Sequence, residues 1–157
     1  MLQHHKFWVI VFLFFPIVGF AQHVYTWPDA QMTFETQQKL IEDDIDMEDQ
    51  MYDAENDALG INMELVDFRD ESETFLNDIE AGCREICEDM SMTLLKDGES
   101  FTPNYKSYYV ICFDKEPVVT AVILRENIKK AIEISLFCYD NDTEKALDLL
   151  KNIRFYN

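Results

Sequence analysis

The chain has 157 residues, with 31 acidic and 13 basic side chains and a net charge of −18. A field of that sign repels nucleic acid and anionic membrane surfaces, and attracts cations and basic partners. An apolar fraction of 48% with 13% aromatics excludes intrinsic disorder, and only four Gly and four Pro exclude long linkers.

Residues 1–21 read as a cleavable signal peptide. A weakly basic start containing Lys6 precedes an apolar run from Phe7 to Phe20, and Gly19-Phe20-Ala21 supplies the small residues a signal peptidase reads. That run is shorter than the roughly 20 residues a membrane helix needs, and nothing later is apolar enough to span. Cleavage after Ala21 makes the chain periplasmic or secreted, with Gln22 as its first residue. No cysteine follows the cleavage point to take a lipid. Residues 22–157 are the size of one acidic α+β domain.

The mature chain opens with Val24–Pro28, then Met32–Thr36, a strand-like segment. Residues 42–57 are an acidic run interrupted by Ile45, Met47, Met51, Tyr52 and Ala54. Asp57–Gly60 marks a turn. Ile61 to Phe68 alternates with Ile61, Met63 and Leu65 on one face, which predicts a strand.

Asp70 and Glu73 form a capping-box pattern. Phe75, Leu76, Ile79, Cys83, Ile86, Cys87 and Met90 then recur at helical spacing, predicting one helix over about 70–92. Met92–Leu95 and Ser100–Thr102 read as a hairpin turning at Asp97-Gly98. Strands follow at 105–113, 118–125 and 131–139, the last two joined through Glu126-Asn127. Ile132, Ile134, Leu136 and Cys138 share one face. The closing helix, about 142–153, is capped by the Asn141-x-x-Glu144 pattern and buries Ala146, Leu149, Leu150 and Ile153. Asn141-Asp142-Thr143 is also a glycosylation acceptor pattern, meaningful only in a eukaryotic route. Strands separated by one main helix and closed by a second predict α+β, an antiparallel sheet packed by two helices.

Four cysteines, Cys83, Cys87, Cys112 and Cys138, are disulfide candidates in an exported chain and allow three connectivities. Cys83 and Cys87 lie one turn apart, whereas helix-to-sheet or strand-to-strand pairs close longer loops. Buried free thiols are the alternative.

The carboxylates are the remaining chemistry. Asp53, Glu55, Asp57 and Glu64 approach calcium-loop spacing, but Ala58 stands where the sharp turn needs Gly and the flanks read as strands. Asp43, Asp44, Asp46, Glu48 and Asp49 could form a looser cation site of roughly 0.1–1 mM affinity. The same run equally reads as a solvated face or a docking surface. A carboxylate-dependent hydrolase is a third reading. No particular pair stands out for it, so no residue is picked as catalytic. His23 is the single histidine left after cleavage, and the remaining glycines form no phosphate loop, so no cofactor is expected. Phe101, Tyr105, Tyr108, Tyr109 and Phe113 read as sheet core or as an exposed patch.

The order of elements resembles the PsbP-like family. The residues that carry this are Phe34 in an opening strand, a strand ending near Asp67-Phe68, and the helix over 71–90. Asp97-Gly98, the Tyr108-Tyr109 strand, the paired strands 118–124 and 132–139, and the helix running to Ile153-Arg154-Phe155 follow. The Trp27-Pro28 opening and the leader also resemble secreted proteins of Bacteroidetes bacteria. The resemblance implies a small exported α+β domain with a non-catalytic binding or assembly role. The expectation is therefore a binding protein whose partner carries a basic surface.

Overall fold

Two antiparallel sheets and three helices make up the computed structural model, which describes residues 22–43, 50–71 and 73–156. Residues 1–21 and 44–49, Ser72 and Asn157 lie outside that description, and so do the leader and its cleavage point.

The strands are β1 (His23–Trp27), β2 (Met32–Thr36), β3 (Ile41–Glu42), β4 (Met51–Glu55) and β5 (Leu59–Asp67). After helices α1 (Glu73–Asn77) and α2 (Ile79–Asp89) come β6 (Thr93–Asp97), β7 (Lys106–Phe113), β8 (Pro117–Arg125) and β9 (Lys130–Cys138). Helix α3 (Thr143–Lys151) and β10 (Arg154–Phe155) end the chain. The large sheet runs β3-β4-β5-β9-β8-β7-β6 and the small one β1-β2-β10.

Period-two alternation divides the large sheet into two faces. Tyr52, Ala54, Ile61, Met63, Leu65, Val119, Ala121, Ile123, Ile132, Ile134 and Leu136 point to one side. There they meet Trp27, Met32 and Phe34 of the small sheet and Ala146, Leu149, Leu150 and Ile153 of the closing helix. Phe34 meets Tyr52 edge-on with ring centres 5.5 Å apart. The backbone N–H of Leu40 donates to the Tyr25 hydroxyl at 2.6 Å, tying the β2–β3 connection to this core. The other side carries a smaller cluster in which Phe75, Cys83 and Cys87 pack on Val110, Cys112, Val122 and Leu124.

Four details differ from the sequence expectation. The helix expected over 70–92 is two helices, because Asp78 leaves the helical region and caps α2 by accepting from the Ala81 N–H at 3.1 Å. The hairpin at Asp97-Gly98 does not form, since β6 pairs with β7 rather than with residues 100–102. Gly98 is needed there for a close approach, as a Cβ would collide with the Tyr109 carbonyl oxygen. Asp142, not Asn141, caps α3 by accepting from the Glu144 N–H, and Asn141 takes the left-handed turn at φ 62°. Leu59 and Gly60 belong to β5, so the turn is confined to Asn56–Ala58, where the Asn56 side chain accepts from two backbone N–H groups.

Arg125 closes one end of the core. It is fully buried, and its Nη1 donates to the Ala30 carbonyl at 2.6 Å. Its guanidinium lies over the Phe155 ring at 4.3 Å and the Tyr105 ring at 5.4 Å. These contacts lock the β1–β2 turn and β10 to the large sheet. Among the described residues no helix is long and apolar enough to cross a membrane.

Candidate functional site

Helix α2 packs on β6, β7 and β8, and leaves β4, β5 and part of β9 uncovered on the same side. The cross-strand rows there read Met51, Glu64, Glu133; then Asp53, Asn62, Ser135; then Glu55, Gly60, Phe137. This half-face is polar because the alternation that buries Ile61, Met63, Ile134 and Leu136 turns its other residues outward. Three hydrogen bonds fix side chains of this face. Asn62 donates to the Asp53 carboxylate at 2.7 Å, Tyr139 donates to Glu55 at 3.3 Å, and Ser135 donates to the Met90 sulfur at 3.7 Å.

The turn after β5 brings Glu71 over the strands, where it hydrogen-bonds to Glu133. Burial pushes the Glu133 carboxyl up to about 8, and the bond to Glu71 and the charges of Glu71, Glu64 and Asp89 push the same way. Burial raises Glu71 as well, with Glu85, Glu64 and Asp70 adding to it. Glu133 is thus a neutral acid at pH 7, donating to the Glu71 carboxylate. The ion pairs among the described residues lie elsewhere. Arg84 pairs with Glu80 and Asp97, Lys106 with Glu126, Lys145 with Asp140, and Lys130 and Arg69 with Asp67. Among the described residues no ion pair includes Asp53, Glu55 or Glu64, so the half-face presents these carboxylates without a cationic partner.

Of the acids singled out in the sequence, Asp43 borders this region, in a cleft of about 150 Å³ shared with Asp53, Glu55, Phe137 and Tyr139. Asp44, Asp46, Glu48 and Asp49 lie outside the described residues. Asp53 and Glu55 sit in a strand paired with β5, so the calcium-loop pattern is a hairpin with no encircling loop. Among the described residues no group of three or more His, Cys, Asp or Glu is arranged to hold a metal ion.

Cys87 and Cys112 form a disulfide from α2 to β7, with Cα atoms 6.2 Å apart. Cys83 and Cys138 are buried free thiols, pushed up by burial to about 12 and about 11. The aromatics divide. Tyr109 is core, Phe101 and Tyr105 pack at its margin, Tyr108 joins the cluster under α2, and Phe113 is exposed. Glu71 and Glu133 were not singled out from sequence, and Glu64 entered only through the calcium-loop spacing. The signal was present in Glu64 and Glu133, each a charge within an apolar alternation. Their meeting with Glu71 depends on pairing of β5 with β9, across a separation that sequence spacing does not encode.

The fold and this face define a small α+β domain with an open acidic sheet surface. No family model matches the chain, and no curated protein matches it. A mutant of Protein Mog1, a solved structure, is similar in fold with a TM-score of 0.58 at 9% identity, over 85% of this chain and 95% of that one.

Proposed function

We propose that the chain is an exported, non-catalytic binding protein, and that the open half-face of β4, β5 and β9 docks a partner with a basic surface. The observation that carries this is the set Asp53, Glu55 and Glu64, without a cationic partner among the described residues, on sheet surface that α2 does not cover. Complementary charge steers such encounters and makes them sensitive to salt. The Cys87–Cys112 bridge supports an oxidising compartment and so the exported reading. The PsbP-like resemblance is proposed on the same footing, as a family whose members bind or assist assembly. Glycoside hydrolysis by the Glu71–Glu133 pair is disfavoured, because carboxyl groups acting on opposite sides of a glycosidic bond stand about 5–9.5 Å apart, too far to hydrogen-bond as these two do.

The test is a titration of the purified protein with an arginine-rich peptide at low and high ionic strength. The comparison is between a face variant (Asp53→Asn, Glu55→Gln, Glu64→Gln) and a remote variant of equal charge change (Asp29→Asn, Asp114→Asn, Glu144→Gln). Salt-sensitive binding lost only in the face variant is expected. Equal weakening in both would mean that net charge alone attracts the probe, and would remove the face from the account.

A further inference from the structure

The cleft of about 150 Å³ on the open half-face exists because of Gly60. Glu55, Gly60 and Phe137 form one cross-strand row on this side, and its middle member has no side chain. Tyr139 takes part of the vacant space. A Cβ at residue 60 would stand 2.3 Å from the Tyr139 hydroxyl oxygen and 2.8 Å from its Cζ. The backbone of Gly60 has no positive φ, so it is space rather than conformation that requires glycine here.

Two kinds of group meet around this hollow. Asp43, Asp53 and Glu55 supply carboxylates, and Phe137 and Tyr139 supply rings. Both rings are open to solvent in part, Tyr139 by 40%. Asn62 orients the Asp53 carboxylate and the Tyr139 hydroxyl orients that of Glu55, and each carboxylate keeps further lone pairs to offer. Among the described residues no ion pair includes any of the three acids.

We propose that this cleft is a binding site for one arginine side chain of the basic partner. The inference rests on the docking role proposed above and names the group that anchors it. Size restricts the occupant, since pockets for whole small molecules run to about 300–1,000 Å³, and this one admits a single side chain. Charge requires a cation. No group of three acids among the described residues is arranged around a metal ion, which leaves an organic cation. The rings select its shape. A guanidinium is planar and weakly hydrated, stacks on aromatic faces and forks two N–H groups onto a carboxylate, whereas the lysine ammonium is a compact, strongly hydrated point charge. Carboxylates already held by Asn62 and Tyr139 lose little freedom when it enters. Arginine is also among the residues that carry most of the energy at protein interfaces.

The test titrates the isotope-labelled protein with three short peptides of lysine and glycine that differ only at the central residue: arginine, lysine or citrulline. Affinity and backbone amide shifts are read together. The arginine peptide is expected to bind about twofold to fivefold more tightly than the lysine peptide, and the citrulline peptide most weakly. The shifts that set the arginine peptide apart should centre on Gly60, Phe137 and Tyr139. Gly60→Ala keeps every carboxylate but forces the Tyr139 ring out and fills the floor of the cleft. It is expected to abolish the preference for arginine while salt-sensitive binding of all three peptides persists. Tyr139→Leu, which removes the ring at an exposed position, should do the same. Salt-sensitive binding without a preference, a preference that survives both variants, or shifts confined to Glu64 and Glu133 would each overturn the inference and leave the docking role standing. Absence of salt-sensitive binding by any peptide would overturn the docking role and this inference with it.

Discussion

The two faces of the large sheet are made by the same strands and do different work. In β9, Ile132, Ile134 and Leu136 point to a side that α3 and the small sheet cover, while Glu133, Ser135 and Phe137 point to a side that α2 covers only in part. On the covered side the side chains are apolar and fully enclosed, so the fold's stability resides there. On the other side the chain holds α2 with one disulfide and a small cluster, and leaves carboxylates over β4 and β5 facing water. Strand alternation, rather than sequence region, separates stability from surface chemistry in this sheet.

The sharpest way to break this comparison is to shave a side chain from each face. Ile134→Ala is expected to lower unfolding free energy in urea by about 2–5 kcal/mol, whereas Glu64→Gln stays within about 0.5 kcal/mol. Comparable losses at the two positions would erase the distinction. Next comes the bridge. Its partners are 25 residues apart, and replacing both with Ser is expected to cost about 2–4 kcal/mol. Reductant should lower the melting temperature of the unaltered protein and leave that of the double variant unchanged. Cys83 and Cys138 should react with a thiol reagent only after unfolding, because both are buried and held as thiols.

A third effect belongs to the open side alone. Folded Glu133 keeps its proton up to about 8, whereas an unfolded Glu releases its proton near ~4.3. Between those values the folded chain binds more protons than the unfolded one, so stability falls as pH rises. The contribution is complete below the unfolded value and is lost as pH climbs through the folded one. Glu133→Gln keeps a hydrogen-bond donor for Glu71 and cannot ionise. Melts should show it close to the unaltered protein near about pH 5, and more stable by roughly 2 kcal/mol near about pH 8.5, allowing for solvent screening. An unchanged pH slope would mean that Glu71 and Glu133 share no proton.

The strands were legible where alternation was strong, as in 61–67 and 131–138, because one buried face imposes a period of two, and where the apolar run was continuous, as in 118–125, because β8 is buried on both faces. Helix α3 was legible from Ala146, Leu149, Leu150 and Ile153 for the same reason at a period near 3.6. The break at Asp78 was not, because Phe75, Leu76 and Ile79 continue a helical stripe across a residue that the backbone uses as a cap. The Asp97-Gly98 turn failed because Gly98 serves a close approach to Tyr109, and a glycine written for proximity looks the same as one written for a turn. Part of the candidate site was legible as excess acid, but its location was not. The run at 42–57 drew attention by density, whereas the described face is assembled from Asp53, Glu64, Glu71 and Glu133 by pairing of β4, β5 and β9.

The smallest expected effect separates the helices that serve the two sides. Asp142→Ala removes the acceptor for the Glu144 N–H, and Asp78→Ala removes the one for the Ala81 N–H. A lost cap costs about 1 kcal/mol when the helix end frays freely. Helix α3 has no covalent tie to the sheet, so Asp142→Ala should show that loss in full in urea. Helix α2 is also tied to β7 through Cys87, which limits how far its first turn can separate from the sheet. Asp78→Ala should therefore cost less than Asp142→Ala while the bridge is intact, and approach it once the bridge is reduced. A full loss at Asp78 in the oxidised protein would mean that the bridge anchors only the end of α2 nearest to it. The packing of Phe75 and Cys83 would then be what holds the start of that helix beside the open face.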